Sequence, residues 1–110
     1  MKSLKDTSEY SAVYKRGKRI NGEFFTAFYL ENNLEHHRCG ITASRKFSTK
    51  AVTRNRAKRI LREALRHNAP TFDSSNRKLD LVLNVKSNLA RCKSHEVSFD
   101  LQKLLALVLT

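Results

Sequence analysis

Apolar side chains return at i, i+3, i+4, i+7 and i+8 through the middle of the chain, at Ala57, Ile60, Leu61, Ala64 and Leu65. At about 100° per residue this spacing gathers them into one stripe, so residues 51–67 are predicted to form a helix with a buried face. Pro70 requires the helix to end before it, because proline lacks an N–H and restricts the residue that precedes it. Two further segments share the period. Thr7, Ser8 and Glu9 offer cap-type residues and an early acid, and Gly17 a stop, which predicts a short helix over 7–16 with Tyr10, Val13 and Tyr14 on its face. Ser94 is the expected cap of a last helix whose stripe is Val97, Leu101, Leu104, Leu105 and Val108.

Elsewhere the period is two. The run Phe-Phe-Thr-Ala-Phe-Tyr-Leu over 24–30 is rich in β-formers and reads as a strand, with an earlier start near 19–21 open. Phe24, Thr26 and Phe28 share one face of it, and Phe25, Ala27 and Tyr29 the other. A polar stretch over 31–37 reads as a hairpin loop leading to a second strand over 38–46. There Cys39, Ile41 and Ala43 alternate with Gly40, Thr42 and Ser44, and the small-residue face leaves room for another group to lie close against the sheet. A third strand follows a polar loop over 68–78. In it Leu79, Leu81, Leu83 and Val85 alternate with Asp80, Val82, Asn84 and Lys86.

The predicted order is helix, strand, strand, helix, strand, helix. A two-stranded hairpin is too small to stand alone, so the third strand is expected to join the same sheet and close a β-α-β unit, with helices over one face. The expectation is an α+β fold, a two-layer sandwich on a small mixed sheet. No repeat, low-complexity tract or linker divides the 110 residues, which read as a single domain over 1–110.

Charge adds a partner to this picture. The chain has 22 Lys plus Arg against 10 Asp plus Glu, a net charge of +12, and its 40% hydrophobic content is enough for one core. A folded, strongly basic module points to a polyanion. No run approaches the roughly 20 apolar residues of a membrane span, and no apolar stretch follows the first lysines, so neither a membrane segment nor a signal peptide is expected and the expected location is cytoplasmic.

The cations are concentrated on the long helix. Arg54, Lys58, Arg62 and Arg66 wind along one flank, with Asn55 and Arg59 beside them, so five of the six cations in 54–66 lie in one solvent-facing sector. Solvated helix faces usually alternate in sign, whereas Glu63 is the only acid here. A row of guanidinium forks on a rigid helix suits phosphate oxygens. A second support comes from rings. Tyr10 and Tyr14 stand one turn apart, and if their helix packs across the sheet they and Phe28 line a groove where unpaired bases stack, against the plainer reading of core packing.

Catalytic groups are not recognisable. There is no Gly-rich phosphate loop, no pair of carboxylates at useful spacing and no nucleophile with a base beside it. Glu63 and His67 stand one turn apart, a spacing that fits a surface contact near the helix C-terminus better than an acid–base pair. His36, Cys39, Cys92 and His95 form a Cys2His2 set on paper, but their spacing is unlike that of structural fingers, and the cysteines are expected as free thiols without a metal.

Lys46 followed by Ala51-Val52-x-Arg54-Asn55-Arg56-x-Lys58-Arg59-x-x-Arg62-Glu63 resembles the signature of the bacterial ribonuclease P protein component. Tyr10-x-x-Val13-Tyr14-x-x-Gly17, Phe25-x-x-Phe28, Arg38-x-Gly40-x-Thr42-x-Ser44, Asp80 and the leucine-rich last helix fall in the same order, so the likeness covers nearly the whole chain. The resemblance implies a subunit that binds a catalytic RNA and helps it remove the 5′ leader of precursor tRNA. It implies that the RNA does the cutting with bound Mg2+, which belongs to the RNA and substrate and not to a protein site. The implied partners are the RNA subunit and precursor tRNA, without a membrane or a required protein partner. Lys46, Arg54, Asn55, Arg56, Lys58, Arg59 and Arg62 would face the RNA subunit, and Tyr10, Tyr14 and Phe28 the single-stranded leader. The resemblance also implies a left-handed β-α-β crossover, against the general right-handed rule.

This chain departs from the resemblance in two places. Phe47-Ser48-Thr49-Lys50 replaces a shorter turn that often holds Gly-Asn, and Asp6 stands where a cation is common, with Tyr10 for a frequent Phe. A structural ribosomal or general RNA-binding protein is the competing class, since it accounts equally for the charge and the missing catalytic set.

Overall fold

The computed structural model describes residues 2–44, 46–86, 89 and 92–109. The elements run β1 (Lys2–Ser3), α1 (Thr7–Arg16), β2 (Lys18–Asn21), β3 (Phe25–Glu31), β4 (Arg38–Thr42), α2 (Ala51–His67), α3 (Ala69–Asp73), β5 (Leu79–Val85) and α4 (Ser94–Val108). The strands form one mixed sheet in the order β1-β4-β5-β3-β2. β4 runs parallel to β1 and β5, while β3 runs antiparallel to β5 and β2.

β5 is central and covered on both faces: Leu79 through Leu83 are all buried, Asp80 among them. Leu79, Leu81 and Leu83 enter the main core with Phe25 and Ala27 of β3, Leu61 and Ala64 of α2, and Leu101 and Leu105 of α4. Val82 points the other way into a second cluster with Leu4 and Val13, against which Tyr10, Phe28 and Leu30 pack. The sheet with α2 and α4 is the expected α+β sandwich. α1 differs from the expectation of helices on one face only, because it lies on the opposite face, where Gly40 and Val82 leave a shallow apolar seat.

The pairing of the second and third predicted elements also differs. β3 and β4 are not a hairpin, because β5 is inserted between them. Alternation tells which residues share a face but not which strand lies next to which. The tight hairpin is β2–β3, where the Gly22 N–H donates to the Phe25 carbonyl at 2.8 Å. Its turn is held from α4 by the buried Asp100 carboxylate, which accepts from the Glu23 and Phe24 N–H groups at 2.8 and 3.1 Å. The β4–α2–β5 unit joins adjacent parallel strands, as the pattern predicts.

α2 has the predicted limits, and buried Asn68 finishes it by donating from Nδ2 to the Ala64 carbonyl at 2.9 Å. The 68–78 segment is not wholly loop: α3 opens with Pro70 in its first turn, where a missing N–H costs nothing, and anchors itself by buried Phe72. β4 ends at Thr42, short of the predicted 46, and Arg45 of the basic turn lies outside the described residues. β1 has no periodicity to announce it and is held by the Lys2 and Leu4 N–H groups donating to the His37 and Cys39 carbonyls, both at 3.0 Å. The residue capping α4 is Lys93 and not Ser94, with Glu96 reaching back to accept from the Lys93 N–H at 3.2 Å. Among the described residues no helix is long and apolar enough to cross a membrane.

Candidate nucleic-acid interface

α2 buries Ala57, Leu61, Ala64 and Leu65, and this stripe turns its cations outward. Asn55, Arg56, Arg59 and Arg62 are exposed, as is Lys46 in the preceding turn, while Arg54 and Lys58 are half-buried. Arg54 is committed to the chain itself, since its Nη1 donates to the Ser48 carbonyl at 2.9 Å. It thereby ties the helix to the turn, in which the Phe47 and Ser48 N–H groups donate to the Ser44 carbonyl at 3.0 and 3.3 Å. At helical spacing Arg56 shares its azimuth with Glu63 two turns later, away from the flank of Lys58 and Arg62. Glu63 itself bonds Arg66 and approaches His67 Nε2 at 3.6 Å, the expected surface contact.

The opposite face of the sheet presents rings on a polar floor. Register places residues in rows across it: Gly40, Val82, Phe28 and Arg19 in one, and Thr42, Asn84, Thr26 and Asn21 in the next. Val13, fully buried, seats α1 over the first row. Tyr10 then takes the space above Gly40, and burial pushes its phenol above the ordinary value. Tyr14, 40% exposed, meets Phe28 edge to face with ring centroids 4.9 Å apart. The Arg19 guanidinium stands 5.9 Å from the centroid of Phe28. Tyr14 Oη donates to Asn84 Oδ1 at 3.1 Å, and the Thr42 hydroxyl donates to the same oxygen.

The two surfaces approach each other at the β4 edge. β1 pairs only with Arg38 and Cys39, so the strand beyond them is uncovered, and a recess of about 260 Å³ there is lined by Arg62 and Leu65 from α2 and by Tyr10 from α1. The angle of α1 is held by an ionic clamp. Arg38 donates from Nε and Nη2 to the two Asp80 oxygens at 2.8 and 2.6 Å, and from Nη1 to Glu9. Asn32 Nδ2 donates to Asp80 Oδ1 at 2.8 Å. Desolvation acts upward on the Asp80 carboxyl, but the bonds from Arg38 and Asn32 outweigh it and hold its pKa below the ordinary value. The Glu9 carboxyl is lowered chiefly by the Asp6 and Lys5 N–H groups, which donate to it at 3.0 and 2.8 Å. Asp6, a departure in sequence, is thus the residue capping α1.

The four residues of the paper Cys2His2 set are not brought together, and among the described residues no group of three His, Cys, Asp or Glu side chains converges. Cys39 faces the core, where burial pushes its thiol up to about 12, far from a reactive thiolate. Sequence reasoning missed Arg19, Asn84 and the Arg38–Asp80 clamp as parts of this face. The even positions of the last strand, Asp80, Val82 and Asn84, were the available signal, since a polar pair flanking valine marks a face distinct from that of Leu79, Leu81 and Leu83.

The sequence profile of the Ribonuclease P family matches residues 1–108. The ribonuclease P protein component of Pelotomaculum thermopropionicum is 36% identical over 102 residues, covering 93% of this chain and 88% of that protein. That of Desulfotalea psychrophila is 40% identical over 89 residues, covering 81% and 71%. The solved RNase P protein from Thermotoga maritima superposes with a TM-score of 0.81 at 28% identity, covering 96% of both chains. The Staphylococcus aureus RNase P protein, at 22% identity, shares the fold with the same TM-score of 0.81 over 98% of this chain and 95% of its own. Sequence and fold agree along the chain, and the protein belongs to the ribonuclease P protein family.

Proposed function

We propose that this chain is the protein subunit of ribonuclease P, binding the catalytic RNA through α2 and the 5′ leader of precursor tRNA through the ring-lined strip. Lys46, Arg54, Asn55, Arg56, Lys58, Arg59 and Arg62 grip the RNA subunit; Tyr10, Tyr14 and Phe28 hold the leader by stacking. The RNA subunit, with its Mg2+, carries the hydrolysis, and the protein contributes charge and position in the cytoplasmic holoenzyme. The observation that supports this most is the placement of a cationic helix and an aromatic strip on opposite faces of one sheet, meeting at the recess between Arg62 and Tyr10. One nucleic-acid assembly can engage both by passing around the β4 edge, which suits an RNA whose substrate enters beside it.

Reconstitution tests the reading. Protein added to the RNA subunit is expected to speed leader removal at low magnesium, where screening of RNA self-repulsion is weakest. A protein that binds RNA without any gain in cleavage would be a general RNA-binding protein instead, and cleavage by the protein alone would assign the chemistry to it.

A further inference from the structure

Asn84 is held so that only its amino group is offered outward. A carboxamide oxygen has two lone pairs, and at Asn84 both are taken, one by the Tyr14 hydroxyl at 3.1 Å and one by the Thr42 hydroxyl. No partner among the described residues takes the two Nδ2 hydrogens. Asn21, in the same row, provides a contrast. Its oxygen receives a single hydroxyl bond, from Thr26 at 3.3 Å, and keeps a free acceptor site.

The usual way for an asparagine to read adenine is bidentate, accepting from N6–H through Oδ1 while donating to N7. At Asn84 the first half of that pair is blocked. A purine edge of two acceptors, O6 and N7 of guanine, suits the free amino group, whereas the N6 amino group of adenine would meet a donor with another donor. We infer that Asn84, oriented by Tyr14 and Thr42, reads the leader base resting against Phe28 and selects a keto purine over an amino purine there. This rests on the leader reading proposed above.

Binding of precursor tRNAs carrying G or A at each leader position in turn, measured on the protein–RNA-subunit complex, tests it. At one position G is expected to bind about fivefold tighter than A, the discrimination one hydrogen bond supplies. Asn84→Leu, which removes the donors at similar volume, is expected to bring that ratio to about one. Thr42→Val, which frees one lone pair of Oδ1, is expected to lower the ratio by admitting adenine, while Thr42→Ser keeps it. Equal G and A binding at every position in the parent protein, or a ratio unmoved by Asn84→Leu and Thr42→Val, would overturn the inference while a precursor advantage over mature tRNA kept the leader reading intact. Precursor and mature tRNA binding alike would remove both.

Discussion

Tyr10 occupies the place that a side chain on Gly40 would need: a Cβ there would stand 2.4 Å from its hydroxyl and 2.6 Å from two of its ring carbons. Gly40 is required for proximity and not for its backbone angles, since no glycine has positive φ. Because the obstacle is a half-exposed ring and not backbone, Gly40→Ala is expected to displace Tyr10 at a cost of about 1 kcal/mol. Urea unfolding gives the cost, and near-ultraviolet circular dichroism should register the moved ring. An unchanged tyrosine signal would show that the ring is not seated there.

Phe28 belongs both to the packing under α1 and to the open strip. Phe28→Ala should weaken binding of leader-bearing precursor tRNA by roughly tenfold, the value of one lost stack, and that of mature tRNA far less. Equal losses on the two ligands would assign Phe28 to the core alone.

Arg59 and Arg54 separate grip from architecture. Arg59 is exposed, so Arg59→Ala should leave stability within about 0.5 kcal/mol while lowering the slope of log affinity for the RNA subunit against log salt by about one unit. Arg54→Ala removes the bond to the Ser48 carbonyl as well, and should lower both RNA affinity and the unfolding midpoint. Variants that bind like the parent across a salt series would take α2 out of the interface.

The Arg38–Asp80 pair should matter more to folding than the Arg38–Glu9 pair. Asp80 has a side-chain exposure of 7% against 23% for Glu9, and its removal leaves a partly buried guanidinium with one partner fewer. Asp80→Ala is expected to cost about 2 to 3 kcal/mol, and Glu9→Gln clearly less, in urea unfolding at neutral pH. The reverse order would mean that α1, not the sheet, is what Arg38 stabilises.

His37 predicts a loss of stability in mild acid. Its Nδ1 accepts from the Leu79 N–H at 3.1 Å and its Nε2 lies 2.9 Å from the Phe72 carbonyl, so the buried ring is neutral with its proton on Nε2. Desolvation lowers its pKa from the ordinary 6.5. The unfolded chain therefore takes up the proton first, and the stabilisation is present above 6.5 and lost as pH falls from there toward the folded value. The urea midpoint should drop between pH 7.5 and 5, and His37→Gln should flatten that part of the profile; a parent midpoint constant over the interval would contradict the lowered pKa of the buried ring.

Periodicity made the helices and the faces of the strands legible, because burial imposes a period of 3.6 or 2 on any element with one dry side. α2 ends where Pro70 requires, and Leu79, Leu81 and Leu83 share the face expected of them. Strand neighbours were not legible: nothing in the alternation of 24–30 and 38–46 discloses that β5 separates them. β1 and α3 escaped because one is held by backbone bonds alone and the other by a single buried ring, Phe72. At the site, the cations of α2 were readable from spacing. Arg54's bond to Ser48, and the two hydroxyls that orient Asn84, join residues far apart or in different elements, and no local pattern records them.

β5 speaks to two audiences in alternate letters. Its odd residues satisfy the main core, and its even residues, Asp80, Val82 and Asn84, anchor the clamp, seat α1 and furnish the strip. A slip of one position would exchange the sets and bring a carboxylate and a carboxamide into the dry interior. A one-residue misalignment is thus disfavoured from both sides at once, since the strand that equips the outer face fits the inner one in no other phase.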